Sequence, residues 1–131
     1  MQSRKYIPEK DYQIAVDWWS GYKWIVPMPQ ECLPTTGIVV KDNDKPLCMM
    51  WVYGTNSAVA LVGFPVCDPH LRGGIRSDAI KMCIDCCNEL AKEMGFSIVY
   101  TYQSNDNLLE KFKDNGFMVG DTKITNMYKG L

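Results

Sequence analysis

The sequence predicts an α/β (α+β) protein with a mixed, mostly antiparallel sheet flanked by helices. Two observations support this: three apolar runs separated by turn clusters fill residues 37–66, and a long stretch with helical periodicity follows them. Strands that alternate with amphipathic helices need both faces of their sheet covered. The predicted order is β-α-βββ-α-β-α-ββ within one domain, residues 1–131.

The N-terminal part is predicted to hold one strand and one helix. Residues 3–7 favour the strand. The helix begins at Pro8 and carries acidic residues near its start, where proline and negative charge are both favoured. It should end near Gly21, and residues 22–36, which contain three prolines, should form an irregular connection.

Three apolar runs then predict an antiparallel meander. They cover residues 37–40, 47–53 and 58–66, and the segments between them are rich in Asp, Asn, Gly and Ser. Those residue types favour tight turns, because they tolerate or stabilise the backbone angles that turns require. Short apolar runs bounded by such turns are typical of successive strands in one sheet.

The long helix is predicted over residues 75–94. Its apolar side chains recur at a spacing that places them on one side, centred on Cys83, while polar side chains lie opposite. Gly95 is suited to end this helix, because glycine readily adopts the left-handed conformation of a helix C-terminus.

The C-terminal part completes the predicted order. A strand is expected over residues 96–102, followed by a short helix over 105–114 that Ser104 would cap. Residues 117–119 and 123–128 are predicted to form two closing strands.

Charge and hydropathy argue against several function classes. Fourteen Lys and Arg against 15 Asp and Glu leave a net charge of −1, which disfavours broad binding to nucleic acid or anionic membrane. The apolar run 47–53 is far too short to cross a bilayer, and the N-terminus lacks an apolar signal-peptide core. We therefore expect a cytoplasmic monomer or homodimer with no membrane and no nucleic-acid partner.

The chain contains six cysteines, an even number. Without a visible export signal, a disulfide framework is not expected, and the thiols should be reduced. Cys83, Cys86 and Cys87 fall inside the long predicted helix, where bridging between neighbours is geometrically awkward.

The most informative segment runs from Phe64 to Ser77, where a strand ends, a short loop follows and the long helix begins. Helix N-termini present free backbone N–H groups and a partial positive charge. Gly73 and Gly74 let the backbone approach an anion closely, and Arg72 and Arg76 add positive charge. This pattern indicates a phosphate or pyrophosphate cradle. The alternative is a glycine-rich turn with two solvated arginines.

A rival constellation involves cysteine and histidine. Cys67-x2-His70 and Cys83-x2-Cys86 are separated by twelve residues, a spacing that resembles some zinc sites. However, Cys83 and Cys86 lie in mid-helix on the apolar side, where cysteine behaves as a small buried hydrophobe. No metal is therefore expected, and a zinc-stabilised interaction module stays an alternative. Cys67 is also an alternative nucleophile, although no partner base is evident.

Several aromatic residues could line a substrate cleft. Trp18, Trp19 and Tyr22 lie at helical spacing, which favours core packing for at least two of them. Trp24 and Tyr53 are the residues that we predict to form a wall of the substrate pocket.

Over roughly residues 3–129, the chain resembles the GNAT superfamily of N-acetyltransferases. In that family a three-strand meander leads through a glycine loop into a long helix, and residues 71–76, Leu-Arg-Gly-Gly-Ile-Arg, look like its Arg-Gly-x-Gly-Ile-Gly loop. Residues 105–117 look like its second motif, in which an Asn opens a helix and Gly-Phe closes it. The small size and the N-terminal region resemble compact members encoded in phage or prophage genomes.

The resemblance implies an N-acetyltransferase that moves an acetyl group from acetyl-CoA, or another acyl-CoA as co-substrate, to an amine. That amine would be a protein Lys, an N-terminus or a small amine. A backbone N–H would stabilise the oxyanion, and a general base would take the amine proton. The pantetheine arm would pair near the end of the third meander strand, and the pyrophosphate would meet the loop. The implied cofactor-binding residues are Phe64, Val66, Arg72, Gly73, Gly74, Ile75, Arg76, Ser77 and Asn105.

The sequence departs from the family pattern at two places. The loop is one residue short, and Arg76 stands where a small residue is usual, so its side chain would either crowd the pyrophosphate or pair with it. Phe112 stands where the family often has a tyrosine acid, and the last meander strand lacks an obvious glutamate base. The catalytic residues are therefore left unassigned. The alternative function is a GNAT-like binding or interaction protein without catalysis.

Overall fold

The computed structural model describes residues 1–22 and 26–131. Each strand and helix is built around the apolar pattern of its segment. The elements are β1 (Gln2–Lys5), α1 (Pro8–Ser20), β2 (Gly37–Asp42), β3 (Lys45–Tyr53), β4 (Val59–Cys67), α2 (Gly73–Glu93), β5 (Ile98–Tyr100) and α3 (Asp106–Asp114). A 3-10 turn, Gln30–Cys32, lies in the described part of the connection between α1 and β2.

The strands form one five-stranded sheet in the order β1-β2-β3-β4-β5. The first four strands pair antiparallel, and β5 runs parallel to β4. This arrangement confirms the predicted class of a mixed, mostly antiparallel sheet flanked by helices. It also confirms the meander, because β2, β3 and β4 follow one another in both chain and sheet.

Two layers of helices cover the sheet. Helix α2 packs on one face through an apolar side that includes Ala79, Cys83 and Cys87. Helix α1 packs on the other face, where the rings of Trp19 and Trp51 stack with their centroids 5.5 Å apart. Core packing of the α1 aromatics is thus confirmed. Within the described ranges, no helix is both long and apolar enough to cross a membrane.

The two closing strands predicted at residues 117–119 and 123–128 are wrong. The described backbone after α3 forms no strand. Lys123 has a φ of 58°, which breaks the extended conformation inside the second segment. Met118 and Tyr128 are 94% and 95% exposed, so the segment has no apolar face buried against the sheet, which a strand pair needs for stability.

The predicted cap of α3 is also wrong. Asn105, not Ser104, occupies the N-cap position, and its side-chain oxygen accepts a hydrogen bond from the backbone N–H of Leu108 at 3.1 Å. Both residue types cap helices well. The choice follows from the point at which the chain leaves β5 and turns into α3, which sequence preference alone does not fix.

A bulge in β4 shapes the centre of the sheet. Met49 pairs with Val66 and Trp51 pairs with Gly63, so β4 uses one residue more than β3 over this stretch. Phe64, inside the bulge, has a φ of 56°, a left-handed conformation that is uncommon for a non-glycine residue. Bulges bend a strand and redirect its backbone groups, and they are frequent beside functional sites.

Candidate functional site

The edge of β4 opens where β5 ends. The two strands pair from Val59 with Ile98 to Leu61 with Tyr100. The side chain of Thr101 then donates a hydrogen bond to the Val62 carbonyl at 2.7 Å. Strand β4 continues to Cys67, whereas β5 has already ended, so in the described structure its last residues lack a strand neighbour on this side. An extended ligand could pair with this edge as a further strand would.

The bulge lies within this open stretch. Phe64 is 43% exposed and has no pairing partner on β3. Val66 returns to register opposite Met49 and is buried, so its backbone belongs to the β3–β4 ladder. Of the two β4 positions predicted to contact the cofactor, Phe64 is therefore the one whose backbone lies outside the ladder.

A tight turn carries the chain from β4 into α2. The Asp68 carboxylate accepts a hydrogen bond from the His70 N–H at 2.9 Å, and the Leu71 N–H donates to the Asp68 carbonyl at 3.0 Å. An aspartate side chain that bonds the backbone two residues ahead stabilises such turns. His70 is exposed on this turn.

The N-terminus of α2 is open. Arg72 is the N-cap residue, but its side chain makes no capping hydrogen bond, and the first turn contains no acidic residue. A side chain placed at Gly73 or Gly74 would meet no atom within 4 Å. Backbone N–H groups of this turn therefore face open space without a side-chain acceptor, and they carry the positive end of the helix dipole. A helix end of this kind is suited to bind an anion.

Arg72 adds a charge at this helix end. Its guanidinium donates to the carbonyl of Leu71 at 2.8 Å and to the carbonyl of Pro69, so the side chain folds back over the loop. It is exposed, and the described structure gives it no carboxylate partner within ion-pair distance. Of the two arginines predicted for the cradle, Arg72 therefore lies at the loop, with its guanidinium on the loop carbonyls.

Arg76 points in another direction. Its guanidinium donates to the Tyr22 hydroxyl at 3.1 Å and lies 3.5 Å from the Asp68 carbonyl, and the Tyr22 hydroxyl donates to the Cys67 carbonyl at 3.0 Å. Burial lowers the pKa of Arg76, but the hydrogen bond to Tyr22 and the neighbouring groups raise it above its ordinary value. The cation therefore links α1 to the end of β4 instead of standing over the glycines.

Three other predicted positions lie around this helix end and α3. Ile75 is 58% exposed in the first turn of α2, and Ser77 follows it and is half-buried. Asn105 lies at the start of α3, where its side-chain oxygen is engaged in the cap.

The two predicted substrate residues have different outcomes. Tyr53 lies beside the bulge, with its ring centroid 5.9 Å from that of Phe64, and its hydroxyl donates to the Cys32 carbonyl at 2.7 Å. Burial and the nearby Cys32 raise the pKa of Tyr53 to about 12, so the hydroxyl stays protonated at neutral pH. Trp24 lies outside the described residues.

Phe112 belongs to the core and not to an open site. It is 2% exposed, and its ring meets that of Phe117 edge-on, with centroids 5.0 Å apart. The position at which the family often has a tyrosine is thus used for packing between α3 and the sheet.

The zinc pattern is not assembled. The Cys67 thiol donates to Cys48, the Cys83 thiol is buried near the Ile38 carbonyl, and Cys86 contacts Ser3. Among residues 1–22 and 26–131, no three His, Cys, Asp or Glu side chains lie close enough to hold a metal ion. The contact with Cys48, together with burial, raises the pKa of Cys67, so Cys67 is not the thiol that is deprotonated first.

Sequence reasoning missed the loop contacts of Tyr22. Its helical spacing predicted a core residue, and the ring does pack against the α1 core. The signal for a second role was the polar hydroxyl, since a buried tyrosine usually directs it to a partner. The bulge at Phe64 was not predicted either, because non-glycine bulge positions carry no strong sequence mark.

No protein-family model matches the sequence, and a search of curated proteins finds no match. Solved structures do resemble it. A protein of Thermus thermophilus is 16% identical with a TM-score of 0.71, covering 100% of this chain and 99% of its own. An acetyltransferase of Trypanosoma brucei is 13% identical with a TM-score of 0.67, covering 97% of this chain and 99% of its own.

A Mycobacterium tuberculosis protein, Rv2747, solved in complex with CoA, is 18% identical with a TM-score of 0.67. The match covers 95% of this chain and 76% of that protein. At such low sequence identities, the similarity shows only that the backbones follow the same fold. The open β4 edge, the bulge and the bare N-terminus of α2 thus belong to a chain that shares its fold with these solved structures.

Proposed function

We propose that this protein is an acyl-CoA-dependent N-acetyltransferase that moves an acetyl group from acetyl-CoA to an amine. The observation that carries the proposal is the continuity of two binding features. The β4 edge opens at Phe64, and the turn over residues 68–72 leads from it directly into the bare N-terminus of α2. The first suits an extended amide-containing arm, and the second suits a pyrophosphate.

The predicted cofactor residues at the bulge and in the loop would have defined tasks. The backbone at Phe64 would pair with the pantetheine arm. The N–H groups between Gly73 and Ser77 would bind the pyrophosphate, and Arg72 would add a charge beside it. Bound acetyl-CoA would supply an activated thioester carbonyl. A backbone N–H at the bulge would then stabilise the charge that develops on the carbonyl oxygen.

Amine acetylation also needs a route for one proton. Tyr53 is close to the bulge, but its hydroxyl is held by the Cys32 carbonyl and stays protonated, so it suits a pocket wall better than a base. We propose that solvent removes the amine proton. The CoA thiolate would leave without a protein acid, because a thiolate leaving group needs little acid help near neutral pH.

Calorimetric titration with acetyl-CoA, and separately with CoA, tests the binding step. Micromolar affinity for both ligands is the expected result. Absence of heat at millimolar ligand would overturn the proposal. A release assay for free CoA thiol, run with lysine peptides, peptide N-termini and small amines, then identifies the acceptor class.

Arg72→Ala gives a residue-level prediction. Removal of the guanidinium should weaken CoA binding by about 1–3 kcal/mol, because a charge-assisted contact to phosphate is lost. Lys92→Ala is the matched control, since Lys92 lies in the last turn of the same helix, far from the loop. Equal affinities for the two variants would remove Arg72 from the binding site.

One observation favours a second candidate, a CoA-binding protein without catalysis. Phe112 is buried in the core, so the family position for a tyrosine acid holds no proton donor. This candidate expects CoA binding together with no thiol release above the uncatalysed rate for every amine tested. Turnover with any amine would exclude it.

The family resemblance and the free thiols are the basis for proposing a cellular compartment. The six cysteines are free, which agrees with a reducing compartment, and we propose a cytoplasmic protein acting as one domain, either as a monomer or as a homodimer.

A further inference from the structure

Two buried thiols face each other across β3 and β4. Cys48 and Cys67 are directly opposite in the strand register, and their sulfur atoms lie 3.0 Å apart. Cys48 is completely buried and Cys67 is 4% exposed. Neither residue contributes to the proposed cofactor contacts, so cofactor binding does not explain why the two thiols face each other.

The backbone around the pair already has the geometry of a disulfide. The Asp68 N–H donates to the Leu47 carbonyl at 3.0 Å, so Leu47 and Asp68 form a hydrogen-bonded pair. Because such pairs alternate along an antiparallel ladder, Cys48 and Cys67 form a non-hydrogen-bonded pair, for which the Cα atoms lie roughly 4.5 Å apart. Disulfides span Cα separations of roughly 4.4–6.8 Å, so bridging requires no movement of the strands.

The other two buried cysteines lie on α2, and the Cys83 thiol also contacts that of Cys48. Cys83 and Cys87 lie one turn apart on α2, and their sulfur atoms approach the carbonyls of Ile38 and Met50 at 3.9 and 3.7 Å. Side chains one turn apart on a helix point along parallel directions, which makes a bridge between them strained. Cys48 thus has two thiol neighbours, of which Cys67 faces it directly in the strand register with its sulfur 3.0 Å away.

The hydrogen bond within the pair favours the reactive thiolate form of Cys48. Cys67 donates its hydrogen bond to Cys48. This bond and the contact with Cys83 outweigh the effect of burial and lower the pKa of Cys48, and the nearby charge of Arg76 acts in the same direction. The thiolate is the form of cysteine that attacks oxidants and disulfides. Cys48 is therefore the first nucleophile, and Cys67 is placed to resolve the product.

We propose that Cys48 and Cys67 form a reversible disulfide modification site that responds to peroxides. The Cys48 thiolate attacks one oxygen of hydrogen peroxide, so an S–O bond forms, the O–O bond breaks and hydroxide leaves, taking up a proton as water. Cys67 then attacks the Cys48 sulfenic acid, an S–S bond forms, and a second water leaves. The two thiols lose two electrons, and the peroxide gains them.

The bond would tighten the end of β4. Cys67 is the last residue of β4, its carbonyl accepts the hydrogen bond from Tyr22, and the turn into α2 begins at the next residue. A covalent link to β3 at this point would restrict the motion of the end of β4, from which the turn departs. Its formation does not depend on CoA, so the site stands or fails separately from the proposed activity.

The test uses the full-length protein and hydrogen peroxide. After exposure, free thiols are alkylated in denaturant, and the digested protein is mapped by mass spectrometry. The expected result is one peptide pair linked through Cys48 and Cys67, a mass lower by two hydrogens and a Tm raised by about 10 °C, as closure of a loop of this length implies. Dithiothreitol should reverse all three.

Two serine variants sharpen the test. Cys48→Ser and Cys67→Ser should each abolish the linked peptide and the rise in Tm, whereas Cys87→Ser, a buried cysteine outside the pair, should retain both. If the serine variants fail to fold, the map of the unmodified protein decides alone. Alkylation of Cys48 and Cys67 after peroxide exposure, or a link between other cysteines, would overturn the proposal.

Discussion

The Tyr22 side chain links the N-terminal helix to the candidate site. Tyr22 follows α1, accepts a hydrogen bond from Arg76 and donates one to the Cys67 carbonyl. The Arg76 guanidinium also lies 6.0 Å from the centre of the Tyr22 ring, within the range of a cation–π contact. Arg76 stands where a small residue is usual, but these contacts hold its side chain at the end of β4. The loop therefore stays open.

Tyr22→Phe tests this positioning at the residue scale. The variant keeps the ring but removes both hydroxyl hydrogen bonds, so we expect a loss of about 1 kcal/mol in the free energy of unfolding and roughly fivefold weaker CoA binding. Tyr12→Phe is the matched control, because Tyr12 lies on α1 and its hydroxyl donates instead to the Met28 carbonyl at 2.9 Å.

Chemical denaturation and calorimetry separate the two variants. Both should lose similar stability, since each loses hydroxyl hydrogen bonds, but only Tyr22→Phe should change the affinity for CoA. A parallel loss of affinity in Tyr12→Phe would mean that helix stability, and not the position of Arg76, governs binding.

At the scale of elements, an ion pair joins β1 to α1. The Arg4 guanidinium donates to both carboxylate oxygens of Asp11, at 2.7 and 2.8 Å, and the Ile7 N–H donates to the same carboxylate at 2.8 Å. Asp11 is completely buried. Its carboxylate thus satisfies one free N–H at the start of α1, where a negative charge also meets the positive end of the helix.

This pair predicts a loss of stability in acid. Burial alone would raise the pKa of Asp11, but the hydrogen bonds from Arg4 and Ile7 outweigh it and hold the pKa below its ordinary value. The contribution of Asp11 is therefore complete above the ordinary aspartate pKa of the unfolded chain. It is lost as the pH falls through the lower pKa of the folded state. Denaturation curves recorded between neutral and strongly acidic pH measure this loss.

Asp11→Asn identifies the group responsible. At neutral pH it should cost about 3 kcal/mol, because it leaves a partly buried guanidinium without its counter-charge, and it should flatten the acid dependence. Asp17→Asn on the same helix is the control, since that carboxylate is bonded by the Gln13 side chain in an exposed contact. An unchanged acid dependence in Asp11→Asn would contradict the assignment.

Elements with strong local patterns were predictable, and those set by tertiary contacts were not. The apolar stripe of residues 75–94 fixed the long helix, which the structure has at Gly73–Glu93. By contrast, the bulge at Phe64 and the pairing of Cys48 with Cys67 depend on strand register, which one sequence does not specify. The glycine loop was recognised from its residues, but the direction of Arg76 required the position of α1.

At the scale of the whole molecule, the sheet is asymmetric. Its β1 side is continuous with the meander, whereas β5 at the other edge is three residues long and pairs only with β4 in the described structure. Beyond Phe117, which packs against the main core, the chain runs exposed to its end. The sequence pattern predicted two further strands here, so this edge is where the expected and observed molecules differ most.

Truncation distinguishes the two arrangements. Removal of residues 120–131, all exposed, should change the free energy of unfolding by less than about 0.5 kcal/mol, because no buried apolar surface is lost. Phe112→Ala is the positive control and should cost about 3–5 kcal/mol, since it empties a buried site in the core. If the tail instead completed the sheet beside β5, truncation would cost several kcal/mol and expose β5 to exchange with solvent. Denaturant unfolding and hydrogen exchange of both proteins therefore decide whether the fold ends at α3 or needs its last twelve residues.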